Sequence, residues 1–323
     1  MNHLNQKTAV ILMNLGTPSE PTTASVREYL REFLSDSRVI EIPKLIWQII
    51  LNVFVLSTRP RRVAHAYQSI WTPQGSPLLA ILKSQAKQLQ ALLPDILVVP
   101  ATTYGKPNVK QVLAQLQQGD YDRFIILPLY PQYSATSTAA AFDKVMAYCM
   151  SHRNMPALTL IKDYHDYPLY IDALARSVQA YWATHGRADK LLMSFHGIPK
   201  PYADKGDPYP EQCRITAQLL ADKLGMAKDE WAVSFQSRFG AQEWVKPYTD
   251  ELLGEWGKLG LSVQVISPAF SADCLETLEE LAVENRDNYL KAGGKSYAYI
   301  PALNDNADHI QMMASLVKPY LSS

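Results

Sequence analysis

Leu191-Leu192-Met193-Ser194-Phe195-His196-Gly197-Ile198-Pro199 decides how the chain is read. Apolar and small residues lead into a His-Gly turn and a proline. The run predicts a short buried strand of a parallel sheet. Gly197 permits a sharp bend and Pro199 stops the strand. His196 then stands at the carboxyl end of a strand, where open α/β sheets bind their ligands. Taken alone it reads equally well as a structural histidine. The stretch Lys200 to Tyr209 holds so much Pro, Gly and Asp that it predicts a loop, neither helix nor strand.

Outward from this strand, strands and helices alternate, as in βαβ units with a parallel sheet. In the first half, strands are predicted at Ala9 to Asn14, Ile96 to Pro100 and Arg123 to Leu129. Helices are predicted at Thr22 to Phe33, Leu78 to Leu93, Val109 to Gln118 and Ser137 to Met150. The second half repeats the plan with strands at Leu158 to Ile161, Leu191 to Phe195, Ala232 to Gln236 and Ser262 to Ile266, and a helix at Leu169 to His185. Three strand exits echo one another in order. Leu15-Gly16-Thr17-Pro18 matches His196-Gly197-Ile198-Pro199, Thr103-Tyr104-Gly105 matches Arg238-Phe239-Gly240, and Leu127-Pro128-Leu129-Tyr130 matches Ser267-Pro268-Ala269-Phe270. The expected fold is α/β, as two similar Rossmann-like lobes, each a parallel sheet flanked by helices, facing each other across a cleft. The first lobe is read as 1–147 with a terminal helix in 305–323 packing back on it. The second is 148–304.

With 323 residues, 47% hydrophobic and 19% charged, the chain is globular and long enough for two cores. Its formal net charge of zero and lack of a basic block argue against nucleic acid as a partner. No signal peptide is visible. Cys149, Cys213 and Cys274 are scattered without metal spacing, so free thiols in a reducing cytoplasm are expected. There is no GxGxxG after the first strand, no Walker sequence and no HExxH.

Two further stretches stand out. Lys44 to Leu56 is almost wholly apolar but too short to span a bilayer. It reads first as a buried helix, with an exposed apolar lip touching a membrane or greasy ligand as the alternative. The cluster Thr58-Arg59-Pro60-Arg61-Arg62 follows it. Beyond Ile266, Asp273, Glu276, Glu280 and Glu284 form one drifting stripe on a predicted helix. Like charges four apart repel, and the next cation is Arg286. The stripe is either a solvated face near a helix start or a row of hard oxygen ligands that passes an ion or protons inward. His196 and Glu276 each lie just beyond a strand exit, so an open imidazole–carboxylate site suits Fe²⁺ held briefly, unlike a closed zinc site.

Several of these motifs together resemble the ferrochelatase family. They are Ser194 to Pro199, Gly206-Asp207-Pro208-Tyr209-Pro210, Asp273 to Glu280, Asn14 to Pro18, Gly75-Ser76-Pro77 and Leu129 to Ser134. The similarity runs over nearly the whole chain. It implies a lyase, in which two lobes hold protoporphyrin IX and insert Fe²⁺ in the terminal step of haem synthesis. His196 and Glu276 match the family's catalytic and metal-site pair. Asp273, Glu280 and Glu284 extend an acidic path, which the family carries on a π-type irregular helix. Leu15, Tyr67, Ser76 and Tyr104 match porphyrin-contacting positions, and Leu45 to Leu56 matches an apolar lip. The carboxyl end lacks the cysteines that hold an iron–sulfur cluster in some members, so no cluster and no tightly bound cofactor are expected. Cys274 replaces a histidine of some relatives and Thr103 an arginine. The expected location is the cytoplasm, with peripheral membrane contact through Leu45 to Leu56. Rival readings are a coproporphyrin ferrochelatase, a cobalt chelatase of the same fold, or a non-catalytic porphyrin carrier.

Overall fold

A computed structural model describes residues 7–240 and 242–321; positions 1–6, 241 and 322–323, which include the polar amino end of the expected first lobe, lie outside it. Among the described residues the chain forms two compact units, each built on a four-stranded parallel sheet.

In the first unit, β1 (Lys7–Asn14) is buried at every position after Lys7, as expected of a strand covered on both faces. It pairs with β2 (Leu97–Thr102) on one side and β3 (Tyr121–Pro128) on the other, and β4 (Ala157–Leu160) adds beyond β3, giving the order β2-β1-β3-β4. Helix α1 (Thr23–Leu34) starts where Thr22 accepts a hydrogen bond from the Ser25 amide, and buries Val26, Tyr29, Leu30 and Leu34. After it come α2 (Lys44–Ile50), α3 (Leu56–Ile70), α4 (Pro77–Leu92), α5 (Val109–Gln118) and α6 (Ala140–Met150). Val109, Val112, Leu113 and Leu116 of α5 meet Ile11, Met13, Phe124 and Ile126 in one core. The terminal helix Ala307–Val317 packs on α4, where Asp305 accepts a 2.5 Å hydrogen bond from Ser84. The sequence reading put the strand near 158 in the second lobe. It belongs to the first sheet, because Arg123 to Ile126 pair in register with Ala157 to Leu160, and the first unit therefore runs on to Asp163.

The second unit repeats the topology. Helix α7 (Pro168–His185) precedes β5 (Lys190–His196), which pairs with β6 (Trp231–Gln236) and β7 (Ser262–Ile266). β8 (Ser296–Tyr299) adds to β7, giving β6-β5-β7-β8. Helices α8 (Lys200–Asp204), α9 (Tyr209–Lys223), α10 (Thr249–Lys258) and α11 (Arg286–Lys291) connect the strands. The echo extends to details: Gly105 and Gly240 both take φ +75°, and each sheet's second strand donates an amide to the carbonyl of a cis-proline, Thr102 to Pro107 and Phe235 to Pro247. In both sheets the chain order reverses beside the first strand, a switch point where the carboxyl ends diverge and leave a crevice.

Two local expectations fail. Lys200–Asp204 is helical although the stretch is rich in Pro, Gly and Asp. Pro201 lies in the first turn, where its missing N–H costs no bond, and Lys200 pairs with Asp204 four residues on at 2.7 Å. The apolar segment after Lys44 is not buried. It continues as a π-helical turn, Leu51–Val55, into α3, and it buries only Leu51 and Leu56. Leu45 is 83% exposed and Phe54 64%, with Ile46, Ile49 and Val53 likewise open. An unbroken apolar run carries no period to mark which side is core. Here α1 covers only one side, through Trp47 Nε1 donating to the Leu34 carbonyl at 2.5 Å. Arg59, Arg61 and Arg62 sit within α3 itself, and Pro60 is tolerated because the Leu56 carbonyl it leaves vacant accepts Arg27 Nε at 3.1 Å. No described helix is long and apolar enough to cross a membrane.

Candidate active site

His196 is the last residue of β5 and stands beside the second sheet's switch point. Its ladder partner is Gln236, the last residue of β6. The two strand ends are drawn together at Gly197, whose amide donates to the Gln236 carbonyl at 2.8 Å. A Cβ at Gly197 would lie 2.8 Å from that oxygen, so the approach requires glycine. The His196 ring is half-buried, and its Nδ1 lies 2.6 Å from the Gly197 carbonyl. A carbonyl oxygen only accepts, so Nδ1 carries the proton. In that tautomer the Nε2 side of the ring is the one that can take a proton or a metal.

The carboxylate row begins after β7. Asp273 is buried and serves a different purpose from the rest. One oxygen accepts from Tyr299 (2.8 Å), Thr277 (3.0 Å) and the Ala302 amide (3.4 Å), the other from Asn304 (2.7 Å). Asp273 therefore pins the start of the next helix to β8 and the segment beyond it.

That next helix is a π-helix over Glu276–Asn285, ten residues long. Its i→i+5 bonding puts more residues in each turn than an α-helix, so positions four apart stay nearer one side. Glu276, Glu280 and Glu284 therefore align more closely than an α-helix would align them. Leu281, on the other side, is fully buried with Leu192, Val263, Val265 and Tyr289. Exposure rises along the row: Glu276 and Glu280 are half-buried and Glu284 is exposed. Three side chains take carbonyls of this widened helix. Gln236 Nε2 donates to Glu276 O at 3.0 Å, Asn285 Nδ2 to Glu280 O at 3.0 Å, and the Tyr297 hydroxyl to Leu281 O at 2.7 Å.

Glu280 accepts from Ser237 twice, from the amide at 2.8 Å and from the hydroxyl at 2.5 Å. Burial nonetheless pushes its carboxyl up to about 7; the two Ser237 bonds act against the shift, and the charges of Glu276 and Glu284 add to it. Burial also raises the Cys274 thiol, and the adjoining Glu276 carboxylate, as charge and hydrogen-bond acceptor, raises it further. The thiol thus stays protonated and is a poor metal ligand. Among the described residues no three His, Cys, Asp or Glu side chains form a ready metal cage. Through Gln236, the strand end that carries His196 meets the backbone at the head of the carboxylate row.

The four predicted porphyrin positions lie in the first unit. Leu15 is half-buried and follows β1; its carbonyl accepts from the Tyr104 amide at 2.9 Å. Gly16 takes φ +106°, and a Cβ there would sit 1.8 Å from the Tyr104 carbonyl oxygen, so this turn also requires glycine. Ser76 is buried and accepts from Thr17 at 2.9 Å. Tyr104 is wholly buried; its hydroxyl donates to Asp36 at 3.0 Å, and Lys144 pairs with the same carboxylate at 3.2 Å. Tyr67 is buried with its ring edge-on to Trp71 at 6.1 Å. Leu15, Ser76 and Tyr104 thus gather around the β1 exit, and only Leu15 has appreciable exposure. Sequence reasoning missed Gln236 and Ser237. The echo between Thr103-Tyr104-Gly105 and Arg238-Phe239-Gly240 marked their strand exit but not their contacts with the acidic helix.

A family model described as Ferrochelatase matches residues 7–321. A ferrochelatase of Psychrobacter sp. (strain PRwf-1) is 57% identical, covering 97% of this chain and 94% of its own. One of Acinetobacter baumannii (strain ACICU) is 58% identical, covering 98% and 96%. Among solved structures, SirB from Bacillus subtilis with Fe³⁺ superposes with a TM-score of 0.57 at 9% identity, covering 98% of this chain and 96% of its own. CbiX, the terminal enzyme of sirohaem biosynthesis in denitrifying bacteria, gives 0.55 at 14%, covering 97% and 100%. At these identities the structural likeness speaks to the fold alone, which is the two-sheet chelatase fold.

The raised Glu280 carboxyl makes stability depend on pH. A folded-state value above the unfolded one favours folding fully below about pH 4.5, and this contribution is lost as pH rises through about 7. The loss amounts to roughly 3 kcal/mol at 1.36 kcal/mol per unit. Urea unfolding at about pH 5 and about pH 8 should show Glu280→Gln gaining stability relative to the parent at the higher pH. Parallel pH curves would show that Glu280 is not held in a protonation-favouring site.

Proposed function

The chain belongs to the ferrochelatase family, and from that premise we propose how its second unit carries out the family's reaction, insertion of Fe²⁺ into protoporphyrin IX. The reaction exchanges two pyrrole N–H protons for one Fe²⁺, so it needs a base at the macrocycle and a route for the ion. The observation that supports the reading is that Gln236, ladder partner of His196, donates to the main-chain carbonyl of Glu276, which brings the backbone at the head of the carboxylate row to the strand end that carries His196. Nε2 of His196 accepts a pyrrole proton. Glu276 holds the incoming iron. Hard oxygen ligands suit an ion that must shed water and leave again. Glu280 and Glu284 relay behind it, from half-buried to exposed, and Glu280, poised near 7, can take or give a proton at working pH.

Asp273 is assigned to anchoring this helix and is not part of the route. In the first unit Leu15 is assigned a contact with the macrocycle, with Tyr67, Ser76 and Tyr104 shaping the ground beneath it. Iron is cargo in this reading. No iron–sulfur cluster is assigned, since such clusters are held mainly by closely grouped thiolates and Cys149, Cys213 and Cys274 are more than sixty residues apart in sequence. No nucleic acid is assigned as a partner. The protein is assigned to the cytoplasm, with Leu45, Ile46, Ile49, Val53 and Phe54 touching a membrane surface beside the basic residues of α3. Neither the coproporphyrin, the cobalt nor the carrier alternative draws support from the comparisons.

His196→Ala should abolish metalloporphyrin formation, followed by absorption under anaerobic conditions with protoporphyrin and Fe²⁺, while porphyrin binding survives. Glu276→Gln should lose at least about a hundredfold in rate, the lower end of the range for positioned acid–base groups, and Glu280→Gln less, about tenfold. Turnover in His196→Ala within tenfold of the parent, or equal losses at Glu276 and Glu280, would contradict the assignment. For the apolar face, Phe54→Asp with Ile49→Asp should reduce co-sedimentation with phosphatidylglycerol-containing vesicles and leave turnover in detergent unchanged. Unaltered sedimentation would remove the membrane contact from the account.

A further inference from the structure

Ser237 is one of three non-glycine residues with positive φ among the described residues, at +64°. Such a conformation is costly for a residue with a Cβ and persists where the surroundings over-determine it. Here both polar groups of Ser237 are aimed at one target. Its amide donates to one oxygen of Glu280 at 2.8 Å and its hydroxyl to the other at 2.5 Å. The two bonds fix the carboxylate plane as well as its position. The residue before it is Gln236, which donates to Glu276 O, one turn earlier on the same π-helix. Gln236 is itself held: its Oε1 accepts from Ser194 at 2.7 Å and its carbonyl from the Gly197 amide at 2.8 Å. The strained residue is thus braced against the strand that carries His196.

We propose that Ser237 is a positioning residue for metal delivery: by gripping both oxygens of Glu280 from the exit of β6, it orients that carboxylate toward the next member of the row. The proposal rests on the assignment of Glu280 to the ion route. Ser237 touches no reacting atom, and its effect is carried through Glu280. A carboxylate on a three-torsion side chain samples many orientations when unheld, and each departs from a hand-over geometry. The backbone conformation alone supplies one of the two bonds. The hydroxyl supplies the second, and that is the part the side chain determines.

The test is a steady-state comparison with Zn²⁺ and protoporphyrin, varying each in turn. Ser237→Ala should raise the metal KM about five- to tenfold, as expected for loss of one ordinary hydrogen bond, with the porphyrin KM and the unfolding midpoint unchanged. Ser237→Gly, which relieves the positive φ but lacks the hydroxyl, should behave like Ser237→Ala. In a Glu280→Gln background, Ser237→Ala should add little. A parental metal KM in Ser237→Ala, or recovery in Ser237→Gly, would overturn the proposal. If Glu280→Gln itself leaves metal kinetics at the parental value, the ion-route assignment fails, whatever Ser237 does. If Glu280→Gln is impaired and Ser237→Ala is not, only the role of Ser237 fails.

Discussion

One amide group holds the centre of the second unit together. Gln236 ends β6 in register with His196, takes the Gly197 amide on its carbonyl, and reaches with Nε2 to the carbonyl of Glu276. The imidazole and the head of the acidic row come from different strand exits, separated by eighty residues of chain. The backbone segments that carry them are joined by ladder register on one side and a side-chain hydrogen bond on the other. A register slip by one residue would turn His196 to the opposite face of the sheet. Loss of the Gln236 bond would leave the Glu276 carbonyl without this tie to β6.

The π-helix turns this attachment into chemistry. A run of carboxylates on an ordinary helix repels itself and drifts around the axis. Widening the turn keeps Glu276, Glu280 and Glu284 closer to one side, but disturbs the pattern that satisfies backbone carbonyls. The structure compensates with Gln236, Asn285 and Tyr297 on the carbonyls and with Leu281 in the core. Asp273, held by Tyr299, Thr277, Asn304 and Ala302, fixes where the helix begins. The charge stripe is thus held in an unfavourable local arrangement by neutral groups around it, as expected where local rules yield to function.

Much of this was legible in the residues. Continuous apolar strands and paired exits gave the two parallel sheets, and the position of His196 at a strand end followed from Gly197 and Pro199. The family resemblance rested on motifs that the family comparison then matched over residues 7–321. What was not legible follows from physical limits of pattern reading. The stripe included Asp273 because spacing records residue type and not hydrogen-bond partners. Lys44 to Leu56 read as core because an aperiodic apolar run does not say which neighbours cover it. The strand near 158 was placed in the wrong half because βαβ alternation is the same on either side of a lobe boundary. Ser237 left no signal, since a positive φ at serine appears only in the folded backbone.

The most direct test of the central claim, that the imidazole and the acidic row at the carboxyl end of the second sheet form one route for the ion, is a crystal soaked with Zn²⁺ or Co²⁺ and measured at the metal's absorption edge. The account predicts an anomalous peak within about 2.0–2.2 Å of a Glu276 carboxylate oxygen, on the side of His196 Nε2, with weaker peaks toward Glu280 and Glu284. Metal bound only away from this row, with Glu276 and His196 unoccupied at saturating concentration, would contradict it.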